Sequence, residues 1–138
     1  LDGPSIKHDI SVSVSRIPEF IATAGARLQA LMPGIRIVCF GHVGDGNLHY
    51  NQSKPEGMAD AAFRAQEDAV HDAVHETAAA LGGSISAEHG IGRLKQKAFL
   101  QFKPAVSVEV MQRIKHALDP LGTFNPGRLF PRTDRQPS

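Results

Sequence analysis

The sequence predicts an α+β fold: a ferredoxin-like βαββαβ antiparallel sheet with its helices on one face, followed by C-terminal helices and an irregular tail. Three observations carry this. Short β-branched or alternating runs and two longer stretches of helical periodicity follow one another as strand, helix, strand, strand, helix, strand. The pairs Pro33-Gly34 and Gly82-Gly83 close the two helical stretches. The two middle strands are separated only by the glycine-rich GHVGDGNLH, a segment of hairpin length.

The elements are justified in order. Ile10, Val12 and Val14 alternate with serines, as in a strand with one buried face. Pro18 suits a helix start, and Phe20, Ile21, Ala24, Leu28 and Leu31 recur at helical spacing up to Met32. Ile35 to Phe40 is nearly all apolar, the pattern of an inner strand. Asn47 to Gln52 follows as its hairpin partner. A second helix fits Met58 to Leu81, with Phe63, Val70, Val74, Thr77 and Leu81 on one face. Ser84 to Ala87 then makes a last short strand. GIGRLKQKAFL and PAVSVEVMQRIKHALDP read as further helices, and the stretch from Thr133 onward as a disordered tail. The expected organisation is a domain over 1–103, a helical and irregular segment over 104–132, and the tail 133–138.

The chain has 138 residues, with 15 Lys plus Arg against 14 Asp plus Glu, so its charge of +1 gives no basis for nucleic-acid binding. Cys39 is the single cysteine, which rules out an intramolecular disulfide and a thiolate zinc cluster. No apolar run approaches the roughly 20 residues of a bilayer span, and no signal pattern opens the chain. A cytoplasmic location is expected.

The chemistry concentrates at the hairpin. With Asp45-Gly46 as the two central residues of a type I′ turn, Gly44 opposes Asn47, Val43 opposes Leu48, and His42 opposes His49. The two imidazoles then share a face with Cβ atoms about 4.5 to 5.5 Å apart. Asn51 lies on that face opposite Phe40. Two neutral imidazoles suit zinc, iron, manganese or cobalt, and an open site takes a third ligand, commonly a carboxylate. Glu88 in SISAEHGIGRLK is the best donor, with His89 beside it as a base facing the substrate. The glycine turn lacks the GK[ST] sequence and the strand-to-helix exit of a phosphate loop. His71 and His75 in VHDAVHE have the spacing of a helical zinc motif, with Asp72 where HExxH has Glu. The expectation there is a partly exposed helix surface, and His8 and His116 are expected at the surface.

GHVGDGNLHYN, SAEHGIGRLK, KHDISVSV and DPLGTFNPGRLF together resemble the C-terminal region of FAD-linked oxidases of the vanillyl-alcohol oxidase superfamily. The branch is that of D-lactate dehydrogenases, the glycolate oxidase flavin subunit and D-2-hydroxyglutarate dehydrogenase. The resemblance runs from about Lys7 to Phe130, and it implies a substrate-binding cap whose FAD-binding domain lies outside these residues. It further implies that His42, His49 and Glu88 hold a divalent metal, usually zinc, and that His89 is the base. Lys7 meets the substrate carboxylate, Asn51 orients the substrate, and Asn125 lies where the chain returns to the FAD; the family often has NPGK where this chain has Arg128. The implied partners are a small 2-hydroxyacid and the FAD domain, with homodimerisation an allowed assembly and with no nucleic acid or membrane span. On this reading the 138 residues alone are inactive. The alternative is a non-catalytic ferredoxin-like ligand-binding module.

Overall fold

A computed structural model describes residues 3–131; the tail expected over 133–138 lies outside the described residues. The chain divides into two compact units, one ending at His89 and the other starting at Gly90. The boundary expected from sequence was later, at 103–104.

The first unit is α+β. Strand β1 (Ser5–Ser11) leads through a 3-10 turn to helix α1 (Ile17–Leu31). Strands β2 (Arg36–Phe40) and β3 (Asn47–Ser53) follow, then helices α2 (Asp60–Arg64) and α3 (Glu67–Ala80). The sheet is antiparallel in the order β1-β3-β2. Strand alternation gives the sheet two unlike faces. Ile6, Ile10, Leu48 and Tyr50 point to the helices and share one core with Phe20, Ala24 and Leu28 of α1 and Val70, Val74 and Ala78 of α3. Both helices therefore cover the same face, and each fully buried Leu or Phe there stabilises by about 1.5–3 kcal/mol. The other face, carrying Lys7, Asp9, His49, Asn51, Val38 and Phe40, has no helix of this unit on it.

Four expectations need correction. Strand β2 is an edge strand, not an inner one: Ile37 and Cys39 pack on the core while Val38 and Phe40 on the opposite face are more than half exposed. The helix over 58–81 is broken at Ala65-Gln66, where the Gln66 N–H turns back to the Phe63 carbonyl; Phe63 is thereby buried independently of α3. The first strand begins and ends earlier than expected, and Val14 belongs to the 3-10 turn, where it is exposed. The fourth strand is reduced to one bridge, Ser84 with Ser11. Its place, beside β1, is that of the outer strand of a ferredoxin-like sheet. Beyond it the chain leaves the ladder, and the amides of 87–89 turn to the Asp9 side chain, as described below.

The second unit contains helices α4 (Gln96–Phe102) and α5 (Ala105–Leu118) and the irregular segment after them. Asp119 organises that segment: its carboxylate accepts from Lys115 Nζ at 2.6 Å, from the Thr123 N–H at 2.8 Å and hydroxyl at 3.0 Å, and from the Phe124 N–H at 3.0 Å. Among the described residues no helix is long and apolar enough to cross a membrane.

Candidate active site

The hairpin between β2 and β3 does not have the expected register. Phe40, not His42, opposes His49, and Val38 opposes Asn51. A type I′ turn needs positive φ at both central residues; Gly46 has it at +74°, whereas Asp45 does not. Val43 to Asp45 instead form a 3-10 turn, with Asp45 and Asn47 both donating to the His42 carbonyl at 3.0 and 3.2 Å. Gly46 accepts from the Val12 N–H at 3.0 Å, and a Cβ on it would stand 2.0 Å from the Val12 carbonyl oxygen. The turn is thus tied to the end of β1, and His42 stands in it, outside the ladder and exposed.

The two histidines nonetheless meet at one carboxylate. Glu88 Oε1 accepts from His42 Nδ1 at 2.8 Å, and Glu88 Oε2 lies 4.0 Å from His49 Nε2. Asn47 Nδ2 adds a longer contact to Oε1 at 3.4 Å. The hydrogen bond from His42 is the main reason the Glu88 carboxyl is held below its ordinary value, with partial desolvation opposing it and Asn47 and the two imidazole charges assisting. The two histidines and the glutamate make a donor set that suits a first-row divalent ion.

What brings Glu88 there is a residue that sequence reasoning passed over. Asp9 on β1 is buried although it lies on the open face. Its Oδ2 accepts from the N–H groups of Ala87, Glu88 and His89 at 3.1, 3.0 and 2.9 Å, and Oδ1 accepts from the Glu88 N–H at 3.2 Å. The Ser86 hydroxyl approaches at 3.5 Å. The Ala87 N–H also lies 3.3 Å from the Asp9 main-chain carbonyl, and the Ser86 N–H turns to the Ser84 hydroxyl, so the pairing with β1 stops at Ser84. The signal in the sequence was faint, a single acidic residue in an alternating strand, where the default is a solvated side chain. On this face it is Asp9, His49 and His89, and not His42, His49 and Glu88, that have one ligand-type atom each within 4.8 Å of the others. Asp9 is nevertheless saturated with backbone donors, so its role is to position the loop, while Glu88 is the carboxylate with an imidazole on either side.

His89 is exposed; its Nδ1 faces Asp9 Oδ2 at 3.8 Å and its ring stacks on His49 with centroids 5.5 Å apart. Phe40 lies tilted against His49, with ring centroids 5.1 Å apart. Lys7 is exposed on the same sheet face and is the register partner of Asn51, two positions along the strands from the Asp9–His49 pair. Lys7, His42, His49, Asn51, Glu88 and His89 therefore all belong to the first unit and gather on or beside one sheet face. Asn125 belongs to the second unit, exposed in a turn at φ +47°, where its carbonyl accepts from the Arg128 N–H at 3.0 Å.

The family model for FAD linked oxidases, C-terminal domain, matches residues 2–129. The chain belongs to that family. It is 42% identical over 128 residues to a D-2-hydroxyglutarate dehydrogenase of Xanthomonas citri, covering 93% of this chain and 27% of that protein. It is 36% identical to the mitochondrial D-2-hydroxyglutarate dehydrogenase of Rattus norvegicus, with 94% of this chain and 23% of the relative covered. A D-lactate dehydrogenase of Anaerostipes hadrus is 34% identical over 88% of this chain and 25% of its own length. The chain spans about a quarter of the length of these curated relatives.

The other sequence-predicted positions fare unevenly. His116 is exposed, as expected. His8 and His75 are not at the surface: both are buried, because α3 packs its His75 side against β1 rather than turning it to solvent. Burial, with His71 and His75 close by, pushes the His8 imidazole down to about 3.

Proposed function

We propose that the chain is the substrate- and metal-binding part of an FAD-dependent D-2-hydroxyacid dehydrogenase, with a small 2-hydroxyacid as substrate. The observation that carries this reading is Glu88, a single carboxylate placed between His42 and His49 and anchored through its backbone by Asp9. His42, His49 and Glu88 would hold a divalent ion, of which zinc is one fit. When bound, that ion supplies Lewis acidity toward the substrate hydroxyl and the flavin supplies a hydride acceptor.

The chain's own residues divide the remaining work. Lys7 offers an ammonium to the substrate carboxylate, and the Asn51 amide next to it fixes the carboxylate's orientation. His89 takes the hydroxyl proton. Its ring stacks on His49, with Nδ1 3.8 Å from the Asp9 carboxylate. Phe40 and Val38 flank these groups with apolar surface. The flavin is held mainly by a separate domain of the whole protein, with Asn125 the contact from this chain. The glycine turn here runs strand to strand, without the helix N-terminus of a phosphate cradle. An exposed face of α5, with Val106, Val110, Ile114 and Leu118, is available for such a partner.

Metal analysis of the whole protein tests the ligand set. His42→Ala and Glu88→Ala should each lower bound metal by one equivalent, and equal content in wild type and both variants would sink the assignment. His89→Asn should keep the metal and lower kcat for 2-hydroxyacid oxidation with a dye acceptor by about 10²–10⁴-fold; an unchanged kcat removes His89 as base.

A further inference from the structure

Three histidines converge on the opposite, helix-covered side of the sheet, and the proposed reaction uses none of them. His8 comes from β1, and His71 and His75 come from one face of α3, four residues apart. One ring nitrogen of each lies within 4.8 Å of the other two. His8 Nε2 and His71 Nδ1 are 2.8 Å apart, and the ring centroids of His8 lie 4.7 and 5.3 Å from those of His71 and His75. His8 is 2% exposed and His75 5%. Burying polar rings beside Val70 and Val74 costs free energy that apolar side chains of similar size would not.

The outer nitrogen of His8 is held as that of a metal ligand is. His8 donates its Nδ1–H to the Tyr50 carbonyl at 3.1 Å, which leaves Nε2 as the lone pair turned toward the other two rings. His71 turns Nδ1 inward, donating to His8 Nε2 at 2.8 Å, a proton that an ion would displace, and has Glu67 Oε1 3.7 Å behind Nε2. A carbonyl or carboxylate behind the far nitrogen is how ligating imidazoles are oriented. We propose that His8, His71 and His75 form a second metal site, for a divalent first-row ion of the zinc or copper class, independent of the His42–His49–Glu88 set. Three imidazole nitrogens without a thiolate suit those ions and leave a fourth position for water. Tetrahedral coordination at about 2.0–2.1 Å separates ligand nitrogens by about 3.3–3.4 Å. The His8–His71 pair must therefore open by about half an ångström, and His71, partly exposed, is the ring free to move and the route by which an ion enters.

The test uses the whole protein carrying His42→Ala and Glu88→Ala together, so that the hairpin site is gone. After chelator treatment it is titrated with Zn(II), and separately with Co(II). The expected result is one equivalent of bound metal, with the visible Co(II) absorption of a nitrogen-rich, low-coordinate site. Adding His71→Ala should abolish both, and so should His71→Gln, which keeps the side-chain volume and answers for the case in which alanine disturbs the helix. Metal retained in the His71 variants overturns the proposal. So does a double variant that binds none while its circular dichroism matches the parent, and that outcome leaves the hairpin site standing.

Discussion

Asp9 is the residue on which the arrangement of the others turns. Its carboxylate is buried, yet three successive backbone amides donate to it, which is the condition under which a buried charge is tolerated. Removing it leaves those amides without their acceptor. Asp9→Ala is expected to destabilise the protein by roughly 3 kcal/mol, since hydrogen bonds to a charged group are worth about 1.5–3 kcal/mol each and are not additive. Asp9→Asn should cost less, because its amide oxygen can accept where Oδ2 does, and only the charge and the longer Oδ1 contact with Glu88 are lost. Both should also weaken metal binding by about 10–100-fold, the usual effect of losing a group that positions ligands. Denaturant unfolding and metal titration check this; wild-type values in Asp9→Ala would show that the amides find other acceptors.

At the scale of elements, the hairpin shows what a local pattern does and does not settle. The strands on either side of GHVGDGNLH were legible because β-branched and alternating residues have one comfortable backbone state. The register was not legible. An Asp-Gly dipeptide favours a two-residue turn, but here Gly46 also answers to β1, through the Val12 N–H, and that contact lies 34 positions away in the chain. The result is a 3-10 turn and a shift of two in the pairing, which puts Phe40 where His42 was expected. After the shift the link between His42 and His49 runs through Glu88, hydrogen-bonded to His42 and 4.0 Å from His49. Gly46 is the residue to change. A Cβ there would meet the Val12 carbonyl at 2.0 Å in a backbone conformation that L-residues rarely adopt, so Gly46→Ala should cost at least about 2–3 kcal/mol. It should also displace His42, read as weakened metal binding out of proportion to the same change at Gly44, whose Cβ would meet nothing within 4 Å.

For the whole molecule, each unit has a buried carboxylate holding irregular chain, Asp9 in the first and Asp119 in the second. Asp119 has the plainer pH signature. The Lys115 ammonium first, then the Thr123 and Phe124 donors, hold its carboxyl well below the ordinary value near 3.8. A depressed folded value stabilises the fold above the unfolded value and loses that contribution as pH falls below it. The second unit should therefore loosen progressively below about pH 4, and Asp119→Asn should remove that part of the acid response, measured by amide exchange at Thr123 and Phe124. An exchange rate at these amides that is independent of Asp119 below pH 4 counts against it. That His42, His49, Glu88 and His89 lie near one another was legible because histidine, glutamate and glycine at these spacings have few common uses. Asp9 was not, because a burial created by a later loop leaves no mark on the strand that provides it. That loop is held by its amides, which every residue except proline possesses. The grip on positions 87–89 is thus indifferent to which side chains stand there, so residues at 88 and 89 can be exchanged for new chemistry without giving up their placement.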